Sequence, residues 1–69
     1  MVKLRRIAPG YYVTKDGRFE VAQISEPIHG VKYWYWKPMD GDAHDYQLTK
    51  RDTLLALEDW LLHHAIHAH

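Results

Sequence analysis

The strongest constraint on this chain lies between residues 11 and 37, where two turn signals separate three apolar runs of alternating pattern. The first run is Tyr11-Tyr12-Val13-Thr14. The turn Lys15-Asp16-Gly17-Arg18 and the run Phe19-Glu20-Val21-Ala22-Gln23-Ile24 come next. Asp-Gly between alternating apolar segments signals a hairpin, because glycine accepts the positive φ that a tight turn requires. Pro27 and His29-Gly30 then lead into Tyr33-Trp34-Tyr35-Trp36-Lys37. Three antiparallel strands follow from this pattern, and their register decides which aromatic rings are buried.

Taking Asp16-Gly17 as a two-residue turn sets Lys15 opposite Arg18, Thr14 opposite Phe19 and Tyr12 opposite Val21. Centring the second turn on His29-Gly30 sets Ser25 near Trp34 and Gln23 near Trp36. Opposed residues share a face of the sheet. One face therefore collects Tyr12, Thr14, Phe19, Val21, Trp34 and Trp36, and its bulk and low charge predict burial. The other collects Tyr11, Val13, Lys15, Arg18, Glu20, Tyr33, Tyr35 and Lys37. Within it, Tyr11, Lys15, Arg18, Tyr33, Tyr35 and Lys37 form the main candidate binding surface, since tyrosine and arginine dominate interface hot spots. The same composition also suits an ordinary half-exposed sheet.

From Thr49 the period changes from two to 3.6. Thr49 and Asp52 resemble a capping box, and Leu54, Leu57, Leu61 and Ala65 recur at helical spacing, predicting a helix from about Lys50 to His67. Trp60, His64 and His67 share a flank roughly 100° or more from the leucine stripe. An aromatic there is expected to cap the sheet edge or, with His64, to offer a second contact surface. Glu58 falls inside the apolar arc, where burial without a partner is costly, so a cation or a tryptophan N–H is expected beside it.

The predicted fold class is α+β, a three-stranded antiparallel sheet with one C-terminal helix packed on one face (β-β-β-α). It forms a single domain over residues 1–69: an N-terminal arm at 1–9, the sheet at 10–37, a loop at 38–48 and the helix at 49–68. A chain of 69 residues supports one small core, rarely worth more than about 3–5 kcal/mol of net stability. Without cysteine it has neither a disulfide nor a thiolate metal site, which fits a reducing compartment. Its basic opening has no apolar h-region of a signal peptide, and no apolar run approaches the roughly 20 residues that span a bilayer.

Nine basic and nine acidic residues cancel, which argues against a protein that coats nucleic acid by charge alone. The distribution is uneven. Lys3, Arg5 and Arg6 cluster in the arm, a second candidate contact with phosphates, while Asp40, Asp42 and Asp45 cluster in the loop. In the tail, His63 and His67 have a spacing able to chelate zinc or nickel. No carboxylate within the motif adds a third ligand, so no metal site and no cofactor are expected. Catalysis is not expected either. There is no glycine-rich phosphate loop, Ser25 has no evident base, and His44 with Asp42 and Asp45 lies in a polar loop where pKa values are not tuned by burial. Neither a deep pocket nor a small-molecule substrate is expected of so short a chain.

Arg5-Arg6-Ile7-Ala8-Pro9-Gly10-Tyr11-Tyr12, with Thr14-x-Asp16-Gly17-Arg18-Phe19, resembles the opening of short, mostly uncharacterised proteins of actinobacteria and their phages. Trp34 and Leu48-Thr49-Lys50-Arg51-Asp52 continue that similarity over nearly the whole chain. The architecture also resembles the AP2-like N-terminal domains of phage integrases, whose uncovered sheet face lies in the DNA major groove. That resemblance implies DNA contacts from Lys15, Arg18, Tyr33, Tyr35 and Lys37. AP2-like domains are basic, whereas this chain is neutral and carries Glu20 and Glu26 on or near the sheet. The expectation is a non-catalytic, phage-type binding or regulatory protein in the bacterial host cytoplasm. It contacts a host protein or a second copy of itself, with sheet-face DNA binding as the alternative and no membrane involvement.

Overall fold

The computed structural model describes residues 2–67, with side chains for residues 2–64. The fold is α+β, with an antiparallel sheet and one C-terminal helix, but the sheet has five strands rather than three. They are β1 (Leu4–Ala8), β2 (Tyr11–Thr14), β3 (Phe19–Gln23), β4 (Trp34–Pro38) and β5 (His44–Gln47), followed by α1 (Lys50–His67). Spatial order equals chain order, so the sheet is a simple meander. The two unexpected strands are its edges. The expected arm is β1, its pattern masked by Arg5 and Arg6, and the expected loop contains β5 in the polar stretch His44-Asp45-Tyr46-Gln47.

The β2–β3 hairpin is built by side chains as much as by glycine. Asp16 Oδ1 accepts from the Thr14 hydroxyl at 2.6 Å and from the Arg18 N–H at 3.0 Å. Thr14 Oγ1 in turn accepts the Phe19 N–H at 3.2 Å. Gly17, at φ 77°, donates to the Thr14 carbonyl at 2.9 Å. The Thr14 hydroxyl first, and the Arg18 amide second, hold the Asp16 carboxyl below the ordinary range, because both bonds favour the charged form. Tyr12 pairs with Val21, as the turn predicts.

The second turn also sits at His29-Gly30, both at positive φ, with Ile28 and Val31 exchanging two hydrogen bonds across it. The ladder beyond it is displaced from the expected register: Gln23 pairs with Trp34 and Val21 with Trp36. Ile24 pairs through its N–H with the Tyr33 carbonyl, so residues 25–27 oppose Lys32 alone. Pro27 has no N–H to continue the ladder there. The surplus is two residues, and an even shift leaves the faces unchanged.

The helix packs against β3, β4 and β5. Phe19, Val21, Trp36 and Leu57 form the buried cluster, with Tyr12, Trp34, Ala56, Trp60 and Leu61 packed around it. Trp34 and Trp36 therefore point toward the helix, as the parity requires. At the helix start the Thr49 hydroxyl accepts the Asp52 N–H at 3.0 Å. Thr53, fully buried, donates its hydroxyl to the Thr49 carbonyl at 3.0 Å. Lys50 Nζ stands 4.2 Å from the centre of the Tyr12 ring.

Trp60 is not peripheral. Its ring lies 5.2 Å from Trp36 and 5.9 Å from Phe19, so it closes the aromatic core between helix and sheet. Leu57 is the centre of the buried arc, and Trp60, three residues on, falls within it. Among the described residues Glu58 meets neither a cation nor an indole. Its Oε2 accepts the Val2 N–H at 2.8 Å, joining the start of the chain to the helix.

Two bulges re-aim residues at the sheet edges. In β1 the pairing changes between Arg6 and Ala8, leaving Ile7 as the extra residue. In β5 it changes between the partners of Trp34 and Trp36, and Asp45 adopts φ 53°. There Asp45 Oδ2 accepts the Nε1–H of fully buried Trp36 at 2.8 Å. Asp45→Ala removes that acceptor and places alanine at positive φ, so it should cost about 1–3 kcal/mol, against under about 1 kcal/mol for Asp45→Asn. Urea unfolding followed by tryptophan fluorescence measures both. Equal losses would show that the indole bond contributes nothing.

Candidate sheet-face interface

The helix covers one face of the sheet and leaves the other open. Register defines the residues on the open face. One cross-strand row runs Arg5, Val13, Glu20, Lys37 and the next runs Ala8, Tyr11, Ala22, Tyr35. Tyr46 from β5 joins the second row, its ring 5.9 Å from that of Tyr35. Val13, Glu20 and Ala22 are buried although they face away from the helix. Ala22 is small and lies between Tyr11 and Tyr35, while Val13 and Glu20 lie between the long side chains of Arg5 and Lys37.

The chemistry of the face centres on Glu20, 8% exposed. The Tyr35 hydroxyl donates to Glu20 Oε2 at 3.3 Å. Partial burial and, next, the adjacent Glu20 charge raise the Tyr35 phenol above its ordinary value of 10.0, with Tyr46 and Tyr11 adding smaller effects. The result is a row of phenols beside one hydrogen-bonded carboxylate, with Arg5 and Lys37 in the neighbouring row.

The expected binding residues do not all meet here. Tyr11, Tyr35 and Lys37 do, and Lys37 Nζ also donates to the Gly41 carbonyl at 3.3 Å. Tyr33 lies one residue ahead of β4, half-buried. Lys15 is exposed in the turn, its N–H bonded to the Lys3 carbonyl at 3.0 Å. Arg18 departs from the face: its guanidinium stands 5.3 Å from the Phe19 ring and lines a shallow depression with Pro38, Met39, Asp40 and Trp60. The arm is split as well. Arg5 shares the open face, whereas Arg6 falls in the row of Tyr12, Val21, Trp36 and His44 on the helix side. Tyr46, and the position of Arg5 on this face, do not follow from the sequence pattern. The Asp40-Gly41-Asp42 turn ahead of the lone aromatic Tyr46 is the one trace of this strand in the sequence.

On the helix side, His44 stacks on Trp36 at 4.7 Å and His64 on Trp60 at 3.7 Å. His63 and His64 place Nδ1 2.8 and 2.9 Å from the carbonyls of Asp59 and Trp60. Among the described residues no group of three or more His, Asp or Glu is placed to hold a metal, and the His67 side chain lies outside them. Nor, among them, is any helix long and apolar enough to cross a membrane. No protein family, curated protein or solved structure matches this chain.

The raised Tyr35 phenol fixes a pH dependence. A group whose folded pKa exceeds its unfolded one contributes stability that is present below about pH 10 and lost as pH rises through the folded value. Phenolate absorbance should therefore show a step displaced above 10.0, and Tyr35→Phe should remove that step. Glu20→Gln should bring it down toward 10 by removing the charge repulsion. A Glu20→Gln titration curve that superimposes on the wild-type one would refute the coupling.

Proposed function

We propose that this chain is a small non-catalytic binding or regulatory protein of phage type, and that it meets a partner protein through the open face of its sheet. The observation that carries this reading is the convergence of Tyr11, Tyr35 and Tyr46 beside Arg5, Lys37 and the bonded carboxylate of Glu20. Rigid aromatic rings supply contact area at low entropic cost, and charged groups of both signs supply orientation. A carboxylate fixed within the face also suits a protein surface better than a polyanion, which it would repel.

Nucleic acid is the second reading, supported by the cations that stand beside the phenols. Arg5 and Lys37 share the open face with Tyr11 and Tyr35. Phenols beside cations suit base stacking and phosphate contact.

A comparison of wild type with Tyr11→Ala plus Tyr46→Ala tests both. The double variant should keep its far-UV circular dichroism and lose the protein captured by wild type from a bacterial lysate. Labelled duplex and single-stranded oligonucleotides should show no binding at about 50 mM salt. Binding that is tight there and falls steeply with added salt would replace the protein reading with the nucleic-acid one.

A further inference from the structure

Glu20 is the one buried acid among the described residues, and it is held loosely. Only 8% of the residue is exposed. Its single hydrogen bond runs from the Tyr35 hydroxyl to Oε2 at 3.3 Å, longer than an O–H···O bond of ordinary strength. Among the described residues no cation pairs with it. Lys37 stands directly opposite on β4, but its Nζ turns to the Gly41 carbonyl. Arg5 lies two strands away, about 10 Å at the backbone. Every fully buried side-chain oxygen among the described residues has a partner, so Oε1, which has none, keeps contact with solvent. The folded domain therefore presents a largely desolvated carboxylate with one oxygen open.

Tyr11 and Tyr35 both pair with Ala22, two residues along β3 from Glu20, so each is a diagonal neighbour of the carboxylate. Tyr46 backs Tyr35, with ring centres 5.9 Å apart. Aromatic ring faces carry negative potential. Rings and carboxylate therefore attract the same kind of group, a cation, and repel an anion. A planar guanidinium suits them better than an ammonium: it stacks on a phenol ring, is weakly hydrated and points its N–H donors outward in its own plane. Resting on the reading of this face as a protein contact, we infer that it recognises an arginine side chain of the partner protein. The guanidinium lies across the Tyr11 and Tyr35 rings and donates to Glu20 Oε1. Little hydration is lost on the carboxylate side, because folding has already removed most of its water. A carboxylate left half-satisfied in the free domain gains its missing donors in the complex. Arg5 and Lys37, at the two ends of the row that holds Glu20, disfavour further cations, so the site takes one arginine rather than a basic run.

Amide chemical shifts of the full chain, titrated with a capped Gly-Gly-Arg-Gly-Gly peptide to about 20 mM, test this, since one side chain alone binds in the millimolar range. Saturable shifts should centre on Tyr11, Glu20, Ala22 and Tyr35. The same peptide with citrulline, a neutral isostere, in place of arginine should cause none. That comparison uses wild type and needs no variant to fold. Glu20→Gln keeps an acceptor for the Tyr35 hydroxyl and removes the charge. It should weaken binding of the arginine peptide roughly fivefold or more, with near-UV circular dichroism unchanged. Tyr11→Ala, which leaves the carboxylate in place, should weaken it as well. No saturable shift with arginine, equal binding of the citrulline peptide, or a Glu20→Gln variant that binds like wild type would overturn the inference. A lysate protein lost by Tyr11→Ala plus Tyr46→Ala but kept by Glu20→Gln would overturn it too, and would leave the sheet face standing as a protein contact. Capture that survives both variants would overturn the two together.

Discussion

Trp36 is where sheet and helix become one structure. It is fully buried, meets Phe19 edge-on at 5.9 Å, tilts against Trp60 at 5.2 Å and carries His44 stacked on its other flank. An indole in such a place brings one polar atom that must be satisfied, since a buried N–H without a partner costs free energy on the scale of the whole domain's net stability. Asp45 satisfies it from β5, at a positive φ that aspartate tolerates better than most residues. The last strand is thus tied to the core by the indole as well as by its ladder with β4. Among the described residues every buried side-chain nitrogen and oxygen has a hydrogen-bond partner.

The features legible in the sequence were those set by local chemistry. Asp16-Gly17 and His29-Gly30 mark real turns, Thr49 caps the helix, and the tryptophans of β4 face inward. The pairing of Trp36 was misplaced by two residues because the irregular stretch around Pro27 leaves no trace in an alternating pattern, yet an even displacement preserves the faces. Odd displacements at the edges were harder to see. The extra residue in β1 and the one in β5 break the alternation, so Arg5-Arg6 read as a basic arm and Asp45 as a loop acid. Tyr46 was missed for the same reason. Trp60 reaches the core because the buried arc of the helix runs through Thr53 and Leu57, to one side of the line its leucines define.

The open face holds Arg5 and Lys37 around Glu20, and the helix on the other side carries charges of both signs, Lys50 and Arg51 with Asp52, Glu58 and Asp59. Glu58 is committed to the Val2 N–H, a contact spanning 56 residues that fastens the segment before β1 against the far end of the chain. The first strand itself is held by its ladder with β2, while the helix packs on β3, β4 and β5. That ladder, pairing Arg5 with Val13, puts Arg5 on the open face.

The two bulges have a consequence beyond their local geometry. A meander exposes a row of unused peptide groups along each outermost strand, and a flat, regular margin templates further strands into fibres. Here Ile7 interrupts one margin, with Arg5 and Arg6 beside it, and Asp45 with its left-handed backbone interrupts the other. Neither border offers an unbroken run of donors and acceptors to a neighbouring chain, so the protein is shielded from polymerising through its own sheet.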